Sequence, residues 1–353
     1  MNLSVLIFTH NPNRHVLGRT IEGLKAQSLN TDQWELIVVD NASDEKVSSW
    51  LDLKWHENAR LVDEPDIGKT RAVFKGIGEA IGDLLVFVDD DNFLDSDYLR
   101  KAIAISDQWP MLGAWGGRIL PEFETIPPQW TERYWSYLTI LDCPHDSWSN
   151  VPGHFEAVPP GAGLVVRRQV VQVYAELVRS DPMRMALDRT GKALISGGDT
   201  DLTFTACDLG FGIARFSSLE LRHYMPAWRF DESYLLRMVE GMAYSLHMLA
   251  AIRGKTGSTT SLVRRAWQYT IGWKLPSRDR RFWRAQARGL RRAEKTFAEH
   301  PELQNPRDAR KVAHEVARRL GVRAPGYTNT FGDPGEIAGA SIVKPNQEMA
   351  PVI

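Results

Sequence analysis

Between Leu3 and Val88 the chain repeats one pattern: a short run of Leu, Ile and Val, then a stretch with helical spacing, then another run. The runs are Leu3 to Phe8, Trp34 to Val39, Ala59 to Val62 and Leu84 to Val88. Near-continuous apolar strands separated by helices predict an α/β fold with a parallel sheet covered on both faces. The intervening helices are read from Leu17, Ile21 and Leu24, and from Ala72 to Ile81. In such sheets ligands bind beyond the carboxyl ends of the strands. Three of these strands run into polar residues there: Thr9-His10-Asn11, Asp40-Asn41 and Asp89-Asp90-Asp91.

The 353 residues allow one large domain or two smaller ones, and 43% hydrophobic with 25% charged residues is ordinary for a globular protein. A formal net charge of -1 gives no whole-chain argument for nucleic acid. Cys143 and Cys207 are the only cysteines, which suits a reducing compartment better than a disulfide scaffold. The N-terminus lacks the basic, long apolar character of a signal peptide, and no apolar stretch approaches the roughly 18 residues of a membrane span. A cytoplasmic protein is expected.

From Gly113 to Val166 the sequence turns irregular and aromatic, with Trp130, Tyr134, Trp135, Tyr137, Trp148 and Phe155 among prolines. Flat rings stack on sugar faces, but core packing explains such residues equally well. Gly161-Ala162-Gly163 reads as a turn feeding a further strand. Ser196 to Asp201 reads as a loop before a helix that begins at Leu202, and Leu219 to Tyr224 as a closing strand. Beyond residue 230 the chain is helical in pattern, and nineteen Lys/Arg stand against six Asp/Glu between Arg253 and Arg323. The last thirty residues, rich in Gly, Pro and Asn, read as a loosely held tail. The expected division is 1–230, 231–323 as a basic helical extension, and 324–353 as the tail.

Asp89, Asp90 and Asp91 place three carboxylates directly after a buried strand. Crowded carboxylates repel unless a cation shares the site. Mg²⁺ and Mn²⁺ bind through one or two carboxylates plus substrate phosphates. A solvated acidic turn before the next helix would look the same. His223, one step past an apolar run, is a competent metal ligand or a structural histidine. Asp199 and Asp201 either cap the helix that follows or serve as a general base.

In this order and spacing, Leu6 to Asn11, Val38 to Ser43, Gly76 to Asp91, Gly197 to Leu202 and Leu219 to Tyr224 resemble the family 2 glycosyltransferases of GT-A fold. The resemblance covers about residues 1 to 230. It implies an inverting transfer from a nucleotide-sugar, with UDP-sugar the prior, to a hydroxyl of a glycan or lipid-linked acceptor. It implies that Thr9 and Asp40 contact the nucleoside, Asp89 the ribose or a metal-bound water, and Asp91 the Mn²⁺ or Mg²⁺. His223 becomes a further metal or diphosphate contact, and Asp199 the base. Gly198 stands where the family often has Glu, so Asp201 remains an alternative base. Val73-Phe74 stands where an arginine-asparagine pair is common, and Lys69 or Arg71 takes over its diphosphate contact. The Gln-x-x-Arg-Trp signature of processive synthases is absent, which points to single additions.

Gly68-Lys69-Thr70 is not a phosphate-binding P-loop, because Asp63 occupies the first glycine position. A degenerate scaffold subunit and a sugar-nucleotide pyrophosphorylase are the competing readings of the fold. Asp91 and Asp199 argue against the first, and the missing glycine- and arginine-rich loop between Thr9 and Leu17 against the second. The basic region is read as holding the enzyme on an anionic membrane surface, helped by Trp267, Trp273, Phe282 and Trp283, or as a solvated helical face. Nucleic-acid binding is not expected, since no recognition motif accompanies the charge.

Overall fold

The computed structural model describes residues 2–185, 187, 194–254, 275–300 and 308–323. Strands β1 (Leu3–Thr9), β2 (Trp34–Asn41), β3 (Ala59–Glu64) and β4 (Leu84–Asp89) form at the four apolar runs. They pair in parallel, with β1 between β2 and β4. The sheet continues through β5 (Asn92–Leu94), β6 (Leu112–Phe123), β7 (Ser147–Ser149), β8 (Val165–Arg167) and β9 (Gly212–Met225). Strand order is β3-β2-β1-β4-β8-β6-β9-β5, with β7 on β9. The long ladders, including β6 with β9, are parallel; the antiparallel ones that β8, β5 and β7 add span three residues or fewer.

Successive side chains on a strand point to opposite faces, and here both faces are apolar. Leu3, Val5, Ile7, Leu36, Val38, Val86 and Val88 meet α1 (Arg14–Lys25) and α3 (Tyr98–Gln108) on one side. Leu6, Phe8, Ile37, Val39, Leu85 and Phe87 meet α2 (Lys69–Glu79), α4 (Arg168–Ser180) and α6 (Gly198–Asp208) on the other. α1 buries Val16, Leu17, Thr20, Ile21 and Leu24, the stripe that its 3.6-residue period predicts, and Asn13 caps it by accepting from His15 and Val16 N–H. This is the mostly parallel sheet with helices on both faces that the sequence implies, followed by a helical C-terminal region.

Three local boundaries differ from the sequence reading. The stretch from Gly113 was read as irregular, yet β6 occupies its beginning. Gly113, Gly116 and Gly117 dilute the strand pattern, but Gly117 has a positive reason to be there: a Cβ would lie 2.0 Å from the Leu219 carbonyl oxygen on β9. α2 begins at Lys69 and not at Ala72. α6 begins at Gly198 and not at Leu202, so Asp199 and Asp201 lie in its first turn, where the helix dipole favours acidic groups.

After the short α5 (Pro182–Met185) and α6, the chain closes with α7 (Glu232–Ile252), α8 (Ser277–Glu299) and α9 (Ala309–Arg319). Among the described residues, core packing runs across residue 230. Phe282 of α8 stacks on Tyr134 at 4.1 Å, Met248 and Ile252 of α7 share a core with Phe204, and Ala313, Val316 and Ala317 of α9 complete the core over α4 and α6. Much of the local basicity meets acids within the fold: Arg278 and Arg281 pair with Glu232, Arg288 with Glu240 and Arg319 with Glu176. Of the four aromatics read as membrane anchors, Phe282 is buried, Trp283 is half-buried, and Trp267 and Trp273 lie outside the described residues, as does the 324–353 tail. No helix among the described residues is long and apolar enough to cross a membrane.

Candidate active site

The turn after β4 is built by Asn92, whose side chain is fully buried. Its Oδ1 accepts from the Asp89 N–H at 3.2 Å and its Nδ2 donates to Asp91 Oδ1 at 3.1 Å. The β5–β9 pairing then sets Asn92 opposite His223, and the Tyr224 N–H bonds the Asp91 carbonyl at 2.9 Å. His223 Nε2 thereby comes within 3.3 Å of Asp91 Oδ1. Arg229, on the 3-10 turn Ala227–Phe230 that follows β9, donates from Nη2 to Asp91 Oδ2 at 2.8 Å and sets Nη1 3.0 Å from His223 Nε2. Burial alone would raise the Asp91 pKa, yet His223 and Arg229 hold its carboxyl well below the usual range. Asp90 goes the other way: burial and the Asp91 charge push it up to about 7, although the Thr9 hydroxyl donates to it.

Lys69, at the first position of α2, lies between two carboxylates. Its Nζ is 3.5 Å from Asp89 Oδ1 and 3.6 Å from Asp199 Oδ2. Asp199 reaches this position over Gly161, where an added Cβ would stand 2.0 Å from the Asp199 carboxylate. Together these groups line a cavity of about 380 Å³. Thr9, Lys69, Asp89, Asp91, Asp199 and His223 all border it. So do His10, Tyr137, Thr139, Arg229, Tyr234 and Met238, to which the sequence reading gave no specific role. A rim position on one strand predicts a neighbour on the same rim, but the residues from the 137–139 turn and α7 arrive only through tertiary packing.

Three predicted residues do not border the cavity. Asp40 is 1% exposed and accepts from the Ser43 and Val47 N–H groups at 3.1 and 2.9 Å, so its carboxylate ties down the turn after β2. Burial would raise its pKa, and the Ser43 side chain together with those N–H bonds holds it below the ordinary value. Its neighbour Asn41 borders the cavity instead, and its side chain fastens the 64–68 loop through the Glu64 and Asp66 carbonyls and the Gly68 N–H. Arg71 is exposed and pairs with Asp66 at 2.9 Å. Asp201 is fully buried between Arg184 at 2.5 Å and Arg253 at 2.8 Å, with Asp208 joined to Arg253, so both of its oxygens are engaged away from the cavity.

Among the described residues no group of three or more His, Cys, Asp or Glu could hold a metal ion by itself. The donor set at the cavity is narrower: the Asp91 carboxylate and the His223 imidazole side by side, with Asp89 two residues before Asp91. Two protein donors and an open cavity fit a hard divalent cation that takes its remaining oxygens from a substrate diphosphate and water. They do not fit an all-protein cage.

Residues 4–173 match the family model Glycosyl transferase family 2. The matched segment contains β1 to β4, the 89–91 turn and Lys69, and ends before Asp199, His223 and Arg229. Two curated relatives from Mycobacterium tuberculosis, the uncharacterized glycosyltransferases Rv1514c (strain H37Rv) and MT1564 (strain CDC 1551), are 34% identical over 102 residues. That stretch is 28% of this chain and 38% of theirs. Among solved structures, S. aureus TarS 1-349 is similar over 92% of this chain and 93% of its own, at 13% identity and a TM-score of 0.46. The same TarS segment in complex with UDP-GlcNAc gives 14% identity and a TM-score of 0.45.

Proposed function

We propose that the chain is an inverting, single-addition glycosyltransferase that moves a sugar from a nucleotide diphosphate, a UDP-sugar first among candidates, to a hydroxyl of a glycan or lipid-linked acceptor. The observation that carries this reading is the convergence on one cavity of a cationic and carboxylate donor side, Lys69, Asp89, Asp91, His223 and Arg229, with an acceptor-side carboxylate, Asp199. The family 2 match supports the donor half of it.

In this reading the nucleoside lies at the ends of β1 and β2, against Thr9, His10 and the 67–68 backbone. Asp91 and His223 would hold Mn²⁺ or Mg²⁺, with Asp89 on the ribose or a metal-bound water, and the cation would offset charge on the leaving diphosphate. Lys69 passes from the Asp89–Asp199 pair to the diphosphate, which leaves Asp199 free to take the proton of the acceptor hydroxyl. That hydroxyl attacks the anomeric carbon as the bond to the diphosphate oxygen breaks, so one in-line displacement inverts the configuration. Tyr137, Thr139, Tyr234 and Met238 form an acceptor side with both polar and apolar character. For a lipid-linked acceptor, exposed Arg284 and Arg291 on α8 are the groups that would meet an anionic membrane surface.

A panel of UDP- and other nucleotide-sugars with Mn²⁺ or Mg²⁺, read by thermal shift and by release of the nucleoside diphosphate, tests the proposal. A metal-dependent melting shift and slow donor hydrolysis are expected with at least one sugar nucleotide. No shift with any member would sink it.

A further inference from the structure

The two protein groups best placed to take a divalent cation are both engaged by a third side chain. The Arg229 guanidinium bonds Asp91 through one nitrogen and faces His223 Nε2 with the other. We propose that Arg229 is a built-in counter-cation that holds Asp91 until a nucleoside diphosphate arrives, so that divalent metal and diphosphate enter only together. The proposal rests on the donor-site reading above and deepens it.

Asp89, Asp90 and Asp91 are crowded in one turn, and a carboxylate as enclosed as Asp91 is strongly destabilising without a partner. Arg229 supplies that partner and is itself largely enclosed, with 18% of its side chain exposed against 13% for Asp91. A metal ion binding alone must displace the guanidinium from Asp91 and leave it without a carboxylate, which opposes binding. A diphosphate removes that obstacle, because guanidinium pairs with phosphate oxygens as readily as with carboxylate. Arg229 borders the cavity and so needs no rearrangement of the fold to turn toward such a ligand.

The hold on Asp91 is also incomplete. Arg229 Nε is buried with no hydrogen-bond partner among the described residues, so the two-point fork that makes arginine–carboxylate pairs strong is not formed. His223 Nδ1 is buried and unpartnered as well. A one-point pair flanked by unsatisfied nitrogens suits a cation that exchanges partners. It contrasts with Arg253, which grips Asp201 from one nitrogen and Asp208 from another. Because metal and diphosphate each favour the state in which Arg229 has left Asp91, each must tighten the other's binding by the same factor.

The test is Mn²⁺ binding by the full chain, followed by the EPR signal of free Mn²⁺ with and without UDP, against a protein-free UDP blank. For the wild type, Mn²⁺ alone is expected to bind weakly, and UDP to tighten it by about tenfold or more. In Arg229→Met, Mn²⁺ alone should bind about tenfold tighter than in the wild type, and the gain from UDP should shrink. Adding Asp91→Asn to that variant should erase the improvement, which assigns it to Asp91. If Arg229→Met does not fold, Arg229→Lys serves: its shorter point charge should give an intermediate affinity for the metal alone. Unchanged metal-only affinity in the folded variants, with UDP-dependent binding intact, overturns the counter-cation and leaves the donor site standing. No Mn²⁺ binding by the wild type even with UDP overturns both.

Discussion

Asp199 and Asp201 sit two residues apart in the first turn of α6, and their surroundings could hardly differ more. Asp199 borders the cavity, where the Lys69 ammonium lies 3.6 Å from its Oδ2. Asp201 is sealed behind it, with one oxygen on Arg184 and the other on Arg253. Residues two apart on a helix point to different sides, so one aspartate faces the sheet rim while the other faces the core between α5 and α7. Carboxylates whose oxygens are all taken, such as Asp201 and Asp40, hold segments in place. Asp89, Asp91 and Asp199 border the cavity, where a ligand can reach them even though Asp91 is paired with Arg229 and His223.

Four substitutions test that contrast, from the largest effect down. Asp199→Asn should lower sugar transfer on the order of 1,000-fold while leaving the melting temperature unchanged, since a general base is removed and no buried pair is broken. Comparable loss of stability in that variant would erase the distinction. Asp201→Asn should do the reverse, costing about 3–5 kcal/mol in a urea melt because two buried guanidinium groups lose their partner. A stable but inactive Asp201→Asn would return it to the role of base. Gly161→Ala sharpens the geometry: its methyl group occupies the space of the Asp199 carboxylate, and turnover should fall on the order of 100-fold. Donor-dependent melting shifts should persist in that variant.

The smallest effect separates Asp40 from the cavity carboxylates. Its folded pKa lies below its unfolded value, so its ionised form stabilises the fold above the ordinary carboxylate range, and that contribution is lost as pH falls through the folded pKa. Asp40→Asn should therefore cost about 1–3 kcal/mol at pH 7. The difference from wild type should vanish in denaturant melts at acid pH. A donor-binding defect in Asp40→Asn without that pH-dependent loss would instead make it a nucleoside ligand.

Much of the site was legible because strand ends are legible. Val5 to Thr9 and Val86 to Asp89 announce strands by composition, and the topology of a parallel sheet brings their polar ends to one rim. Thr9, Asp89 and Asp91 follow from that alone. Asp40, read on the same ground, does not border the cavity: a polar residue at a strand end can equally accept the N–H groups of the turn that follows it, and nothing local tells the two apart. Arg229 was missed because it belongs to no motif. It reaches Asp91, 138 residues away in the chain, only because β5 pairs with β9.

By itself, then, the sequence determined the apolar strands, the helix stripes between them, and the edge of the sheet on which chemistry would collect. These depend on period and composition, which are local. The tertiary structure alone decided which charges are closed and which are open: Asp201 against Asp199, Asp40 against Asp89, and the guanidinium that waits on Asp91. Such choices depend on partners brought from distant elements, whose positions are set by the packing of β9, α6 and α7, and no window of sequence contains them.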